Sequence, residues 1–253
     1  MSVAAAGSLK VERSWRLNAW RAFLGLGVAA GVLLVAFPEI DLFVAEATFA
    51  PASGFIGWQV GWLTLVRWGF IVFYFATIAL AIAGWLTCRK GQRGPFGAKE
   101  WMFMVLCLSV GPGLLANVGF KDQWGRARPK QIVAFGGAKH FTPALLPTDQ
   151  CKRNCSFVSG EASSVFAPFY AAAAIAPQWA APLIVVGTAA GLAAGSVRIV
   201  QGAHFLSDVV FAGLFMGVTV LALYRVVFAP RGAWPSLLRP RVDERPLART
   251  SSA

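Results

Sequence analysis

The sequence predicts an all-α protein of the membrane, a polytopic bundle of about six transmembrane helices, and three observations predict it. Hydrophobic residues make up 57% of the 253-residue chain and charged residues 13%, with a mean hydropathy of +0.61, too little polar surface to cover a water-soluble globule of this size. The apolar residues come in runs of membrane length, where a soluble domain would break them into amphipathic pieces of about 10 to 14 residues. The net charge of +12 is not spread as nucleic-acid binding would spread it, because the basic residues collect beside the apolar runs.

Spans are expected over 22–37, 68–87, 101–120, 162–176, 180–196 and 205–228, each near the ~20 residues that cross the hydrocarbon core. The fourth and fifth are short and separated only by Pro177, Gln178 and Trp179, a tight helical hairpin with proline as the stop and tryptophan at the interface. Lys10, Arg13, Arg16 and Arg21 precede the first span, and Arg89, Lys90, Arg93 and Lys99 lie between the second and third. Arg225, Arg231, Arg239, Arg241, Arg245 and Arg249 follow the sixth, so all fourteen share one side. The stretch between the first two spans instead carries Glu39, Asp41 and Glu46, with no Lys or Arg until Arg67. The positive-inside rule then places both termini in the cytoplasm.

The first span with its basic lead also has the form of a signal sequence, but no small-x-small cleavage site follows it promptly. The chain divides into a cytoplasmic N-terminal segment at 1–21, one membrane domain at 22–228, and a tail at 229–253. The tail, rich in Pro, Arg and Ser, is expected to be a disordered cytoplasmic end. Cys151 and Cys155 lie in a long loop assigned to the outside, where an oxidising compartment permits a small disulfide loop. Cys88 and Cys107, at or within spans, read as packing residues. A zinc site is disfavoured, since this pair does not make four ligands and the chain has only two histidines.

Three polar clusters interrupt the apolar sequence, and the topology brings all three out on the outer side. The first is 121–129, Lys-Asp-Gln-Trp-Gly-Arg-Ala-Arg-Pro, directly after the third span. The second is 156–161, Ser-Phe-Val-Ser-Gly-Glu, directly before the fourth. The third runs from Ser196 and Arg198 to His204 and Asp208, where the fifth span ends and the sixth begins. Lys121, Arg128 and Arg198, arriving from separate helices, suit a multiply charged anion, and arginine matches phosphate oxygens in bidentate geometry. Ser159 and Gly160 stand at a helix N-terminus, whose unpaired N–H groups and dipole favour the same ligand. A single cation here would more often reach for lipid headgroups; three together describe a phosphate cradle. His204 and Asp208, four apart on one helix face, allow the carboxylate to accept the ring N–H and leave the other nitrogen as a nucleophile. The alternative is a polar pair lining a helix contact.

These patterns, Lys, six residues, Arg-Pro, then Ser-Gly, then Arg, five residues, His, three residues, Asp, resemble the type 2 phosphatidic acid phosphatase (PAP2) family, whose site is shared with vanadium haloperoxidases. The resemblance covers about residues 101–228. It implies a PAP2-like helical bundle, phosphate held by Lys121, Arg128 and Arg198 with Ser159 and Gly160, in-line attack by His204 supported by Asp208, and a phosphohistidine opened by water, with no metal and no cofactor. Two departures stand out. Val197 separates Ser196 from Arg198, where the family has Ser-Arg; and Glu161 occupies the place of the usual acid, a histidine. Glu161 protonates the leaving alkoxide in this reading, or else is an ordinary first-turn acid capping its helix; His140, in the outer loop, reads first as an unremarkable loop histidine and second as a substitute acid.

The Ser-Gly-Glu variant and the Asn154 to Val158 stretch before it are similar to bacterial lipid A phosphatases of the rhizobial type, those acting at the 4′ position. That resemblance implies a multi-pass protein of a bacterial inner membrane with a periplasmic active site and lipid A as substrate. A phosphatase for undecaprenyl diphosphate or phosphatidylglycerophosphate, a phosphotransferase sharing the phosphohistidine, and a catalytically inactive phospholipid binder are the competing readings. Oligomeric state is left open, and nucleic acid is not an expected partner.

Overall fold

The computed structural model describes residues 3–91 and 94–228, with side chains from Leu17 onward. The tail at 229–253, expected to be disordered, lies outside the described residues, as do Arg93 and the side chains of Lys10, Arg13 and Arg16. Helix α1 (Val3–Ala36) is apolar over Leu17–Ala36. It ends where Pro38, which has no N–H to continue the ladder, opens the short helix α2 (Glu39–Glu46). A two-stranded hairpin of β1 (Phe49–Ala50) and β2 (Gly54–Phe55) leads into α3 (Gly61–Arg89).

Helix α4 (Ala98–Leu108) continues as a wider π-helical stretch, Ser109–Lys121, containing Pro112. Proline lacks the donor for a normal α-helical bond and crowds the preceding turn, which favours a widened helix. The Pro112 carbonyl accepts from the Asn117 side chain, five residues on, at 2.8 Å. After a loop at 122–159 come α5 (Gly160–Ile175), a 3-10 turn (Pro177–Trp179), α6 (Ala180–Val200) and α7 (Leu206–Phe228).

Five described helical segments are long and apolar enough to cross a membrane: Leu17–Ala36, Gly61–Arg89, Ala98–Lys121, Pro177–Val200 and Leu206–Phe228. The sixth expected span, α5, is not among them. Its 16 residues reach roughly 24 Å at 1.5 Å per residue, against about 30 Å of hydrocarbon. Its first turn is polar, which shortens the apolar run. Helix α5, which runs back between the π-helical stretch and α6, is the hub, buried over most of its length and packed against α3, α4, α6 and α7. Gly187 and Gly191 of α6 make this possible: a Cβ at either would stand 2.4 and 2.3 Å from Phe169 and Phe166 of α5. By contrast α3 buries only Ala81 and exposes Leu65, Trp68, Val72 and Phe75, the surface expected of a lipid-facing helix.

Helix directions bring four ends together. The π-helical stretch and α6 finish, and α5 and α7 begin, at the same end of the bundle. An aromatic cluster supports that end from below, with the fully buried Phe157 ring 5.5 Å from Phe120, 5.0 Å from Trp124 and 5.8 Å from Phe211. A smaller apolar layer of Phe55, Ile132, Phe135 and Phe205 joins the hairpin and the long loop to it.

Candidate active site

The three polar clusters meet on one carboxylate. Glu161, in the first turn of α5, places Oε2 3.9 Å from Lys121 Nζ at the end of the π-helical stretch and 3.8 Å from His204 Nε2, two residues before α7. Its Oε1 lies 3.4 Å from Arg198 Nε in the last turn of α6. Arg67 of α3 joins them, donating to the same oxygen from Nη2 at 3.1 Å and Nε at 3.3 Å. Gly160 makes room for the lysine, since a Cβ there would stand 2.6 Å from Lys121 Nζ and 2.8 Å from the Asn117 oxygen. Arg198 is held by a hydrogen bond to Gln201, and its Nε, buried, has no hydrogen-bond partner. Four cationic or ionisable groups around one anion is an arrangement that binds phosphate oxygens.

His204 is fully buried. Its Nδ1 lies 2.6 Å from the Ser156 carbonyl oxygen, which can only accept, so Nδ1 carries the proton and Nε2 presents the lone pair. Nε2 has no hydrogen-bond partner in the structure. The expected acceptor of that proton, Asp208, stands back at 3.6 Å from Nδ1. The displacement has a physical cause. Asp208 Oδ2 already accepts from the Ser156 hydroxyl at 2.5 Å and the Phe205 N–H at 2.8 Å, and Oδ1 accepts from Arg126 Nη1 at 2.5 Å. Asp208 therefore orients His204 at one remove, by fixing the Ser156 segment whose carbonyl holds the ring.

Beneath this pocket lies a second ionic cluster with no exposure at all. Arg126 donates to Asp208, to the Ser207 hydroxyl at 2.8 Å, to Asp41 Oδ2 at 2.8 Å and to the Thr142 carbonyl at 2.9 Å, and stacks 4.4 Å over the Phe205 ring. Asp41, brought in by α2, also accepts from the Ser207 N–H at 2.8 Å and from its hydroxyl. Burial pushes the Asp41 carboxyl up against the opposing pull of Arg126.

The remaining expected residues are placed as follows. Arg128, half-buried, donates to the Asn154 carbonyl at 2.7 Å and to its side-chain oxygen at 2.8 Å. Burial lowers the Arg128 pKa, with Glu161 and Asp208 drawing it back up, and a guanidinium remains charged throughout the physiological range. The Ser159 hydroxyl caps α5, accepting from the Ala162 N–H at 3.4 Å, and its own N–H donates to the Asp208 carbonyl. Ser196 faces away, its hydroxyl bonded to the Leu192 carbonyl within α6. His140 is exposed in the long loop. Cys151 and Cys155 are joined by a disulfide. Among the described residues no group of three or more His, Cys, Asp or Glu is placed to hold a metal ion.

Sequence reasoning missed Arg67, Asp41 and Arg126 as parts of this end, and Ser156 as the holder of the ring. Arg67 carried a usable signal, a cation seven residues into an apolar helix, where a charge is ordinarily functional. Reading the second span as beginning at Trp68 hid it.

A bundle of membrane-crossing helices whose polar end gathers lysine, arginines and a buried histidine is the framework of a membrane enzyme that handles phosphate esters. The chain belongs to the PAP2 superfamily, whose family model matches residues 102–232. It is 34% identical over 212 residues to the lipid A 4′-phosphatase of Francisella tularensis subsp. novicida, covering 81% of this chain and 95% of that protein. It is 33% identical over 211 residues to the lipid A 4′-phosphatase of Rhizobium leguminosarum, covering 74% of this chain and 87% of that one. The lipid A 1-phosphatase of Rhizobium johnstonii is 34% identical over 137 residues, 54% of this chain and 50% of that protein. No solved structure matches significantly. The protein is thus a multi-pass membrane lipid phosphatase, a phosphoric monoester hydrolase.

Proposed function

We propose that this phosphatase removes the 4′-phosphate of lipid A at the periplasmic face of a bacterial inner membrane, through a phosphohistidine on His204. The observation that carries the mechanism is the buried, unpartnered Nε2 of His204, 3.8 Å from a carboxylate that Lys121 and Arg198 also face. Lys121, Arg128 and Arg198 take the phosphate oxygens, with the Ser159 and Gly160 head of α5 beside them. Nε2 bonds to phosphorus as the bond from phosphorus to the sugar oxygen breaks. Glu161 takes the proton of the phosphate monoanion as that group displaces it from the cations, and gives it to the departing sugar oxygen. Water then attacks phosphorus, Glu161 accepts its proton, and phosphate leaves with the imidazole restored. The Asp208 charge, 3.6 Å from Nδ1, stabilises the ring while it is cationic.

The substrate assignment is supported by similarity to two lipid A 4′-phosphatases over most of the chain, and the facing by the basic residues gathered at the opposite ends of the spans. The test is phosphate release by the purified full chain from lipid A, undecaprenyl diphosphate and phosphatidylglycerophosphate in parallel. Release from lipid A is expected, with mass spectrometry locating the loss at the 4′ position; activity on the isoprenoid lipid alone overturns the substrate. For the facing, a cysteine at the exposed Ala134 is expected to react with an impermeant thiol reagent in intact spheroplasts. Reaction only after lysis inverts the topology.

A further inference from the structure

The Glu161 carboxylate occupies the place a phosphoryl group needs. An attacking nitrogen stands about 3 to 3.5 Å from the atom it will bond, and Glu161 Oε2 is 3.8 Å from His204 Nε2 on the side where Lys121 and Arg198 also converge. Substrate phosphate and this carboxylate cannot share the space. The contacts around it are unequal. Those to Lys121 at 3.9 Å, His204 at 3.8 Å and Arg198 at 3.4 Å are long or lack hydrogen-bond geometry, whereas Arg67 makes two hydrogen bonds to Oε1. Arg67 is also on a different element, α3, and its side chain is 30% exposed against 10% for Lys121, 7% for Arg198 and none for His204. It lies outside the stretch that the family model matches.

We infer that Glu161 is a built-in counter-anion that fills the phosphate subsite when no substrate is present, and that Arg67 is the positioning residue that draws it aside. The carboxylate turns about Oε1, which Arg67 keeps, and Oε2 leaves Lys121 and His204 to the incoming phosphate, while Arg198, 3.4 Å from Oε1, has its unpartnered Nε free for the same anion. The pocket is thereby kept neutralised in the membrane without a bound anion, since the desolvated cations Lys121 and Arg198 with no counter-charge would be costly. Arg67 acts through Glu161 and does not itself grip phosphate. This inference rests on the assignment of Lys121, Arg198 and His204 as the phosphate site, and its test is chosen to separate the two.

Inorganic phosphate binding to the detergent-solubilised full chain, measured by calorimetry, serves as the probe. Arg198→Ala is expected to abolish binding; unchanged binding in that variant removes the phosphate-site reading and the inference with it. With that arm satisfied, Glu161→Gln is expected to tighten binding about tenfold, the equivalent of ~1.4 kcal/mol for a lost competitor. Arg67→Ala is expected to weaken it about fivefold when Glu161 is present and by less than about twofold in the Glu161→Gln background, a coupling that marks action through a partner. Arg67→Lys, which keeps the charge, is expected to restore binding in part. Unchanged or weaker binding in Glu161→Gln overturns the counter-anion. Equal weakening by Arg67→Ala in both backgrounds overturns the positioning role, because Arg67 would then contact phosphate directly.

Discussion

Arg126 and Arg128 stand two residues apart in one loop, yet they serve two different kinds of site. Arg126 has no exposure and satisfies its donors on Asp41, Asp208, Ser207 and a carbonyl, so it is committed to the fold. Arg128 is half-buried and its partner is the carbonyl and side chain of an exposed asparagine, a polar contact that an anion can compete with. The same contrast separates the two ionic clusters as wholes. The Asp41, Arg126 and Asp208 cluster is closed and fully paired, while the Glu161 cluster holds long contacts and leaves buried ring and guanidinium nitrogens unpartnered. A membrane site for a charged substrate needs both: groups that bind must be left under-satisfied, and that is tolerable only where neighbouring charges are locked.

The largest effect is expected where the closed cluster is broken. Arg126→Ala strips two buried carboxylates of their shared cation, a loss of about 3 to 5 kcal/mol for a buried pair. A large fall in melting temperature and loss of monodisperse protein in detergent are expected; a stable variant would erase the distinction between the clusters. In the open cluster the expected order reverses, with activity lost and the fold kept. His204→Asn retains a side-chain N–H for the Ser156 carbonyl but has no Nε2. Stability within about 1 kcal/mol of the parent is expected, roughly one hydrogen bond, as read by thermal melting. Turnover is expected to fall by at least ~10⁴-fold, as removal of a nucleophile does. Residual turnover above that level would move the nucleophile elsewhere. Glu161→Gln comes next, lowering lipid turnover at least ~100-fold, the scale of a general acid, although it binds inorganic phosphate more tightly. A loss under threefold would leave Glu161 as counter-anion only.

The contrast also marks what the sequence could convey. Lys121, Arg198, His204 and Glu161 were legible as a convergent set, because helix direction alone brings the ends of alternate spans to one side. The closed cluster was not. Asp41 lies 85 residues from Arg126, and an aspartate in an acidic segment between two spans reads as a solvated charge until α2 folds it under the long loop. Ser156 was visible but its role was not, since the ring is held by a backbone carbonyl and every residue has one. Helix α5 is the span least legible by apolar length, for a related reason. A short helix of small apolar residues looks the same whether lipid or protein surrounds it, and the glycines of α6 that enclose it register only as composition.

The smallest expected effect falls on the link between the loop and the open cluster. The disulfide closes a turn in which Asn154 adopts a left-handed φ of 51°, a conformation asparagine tolerates better than most residues. From that turn the Asn154 N–H donates to Asp122 at 3.0 Å, the Cys155 N–H donates to the Lys121 carbonyl at 2.9 Å, and Asn154 receives Arg128. Opening so short a loop removes no more than about 2 kcal/mol of chain-entropy stabilisation, so replacing both cysteines by serine should leave the protein folded. What it loosens is the seat of Arg128. An arginine that holds substrate equally in ground and transition states affects KM and not kcat, so KM for the lipid should rise about three- to tenfold with kcat within about twofold. The neighbour of Cys155 is Ser156, whose carbonyl fixes His204, and a fall in kcat instead would mean that the loop reaches the reacting nitrogen and that the two clusters are less separable than their burial implies.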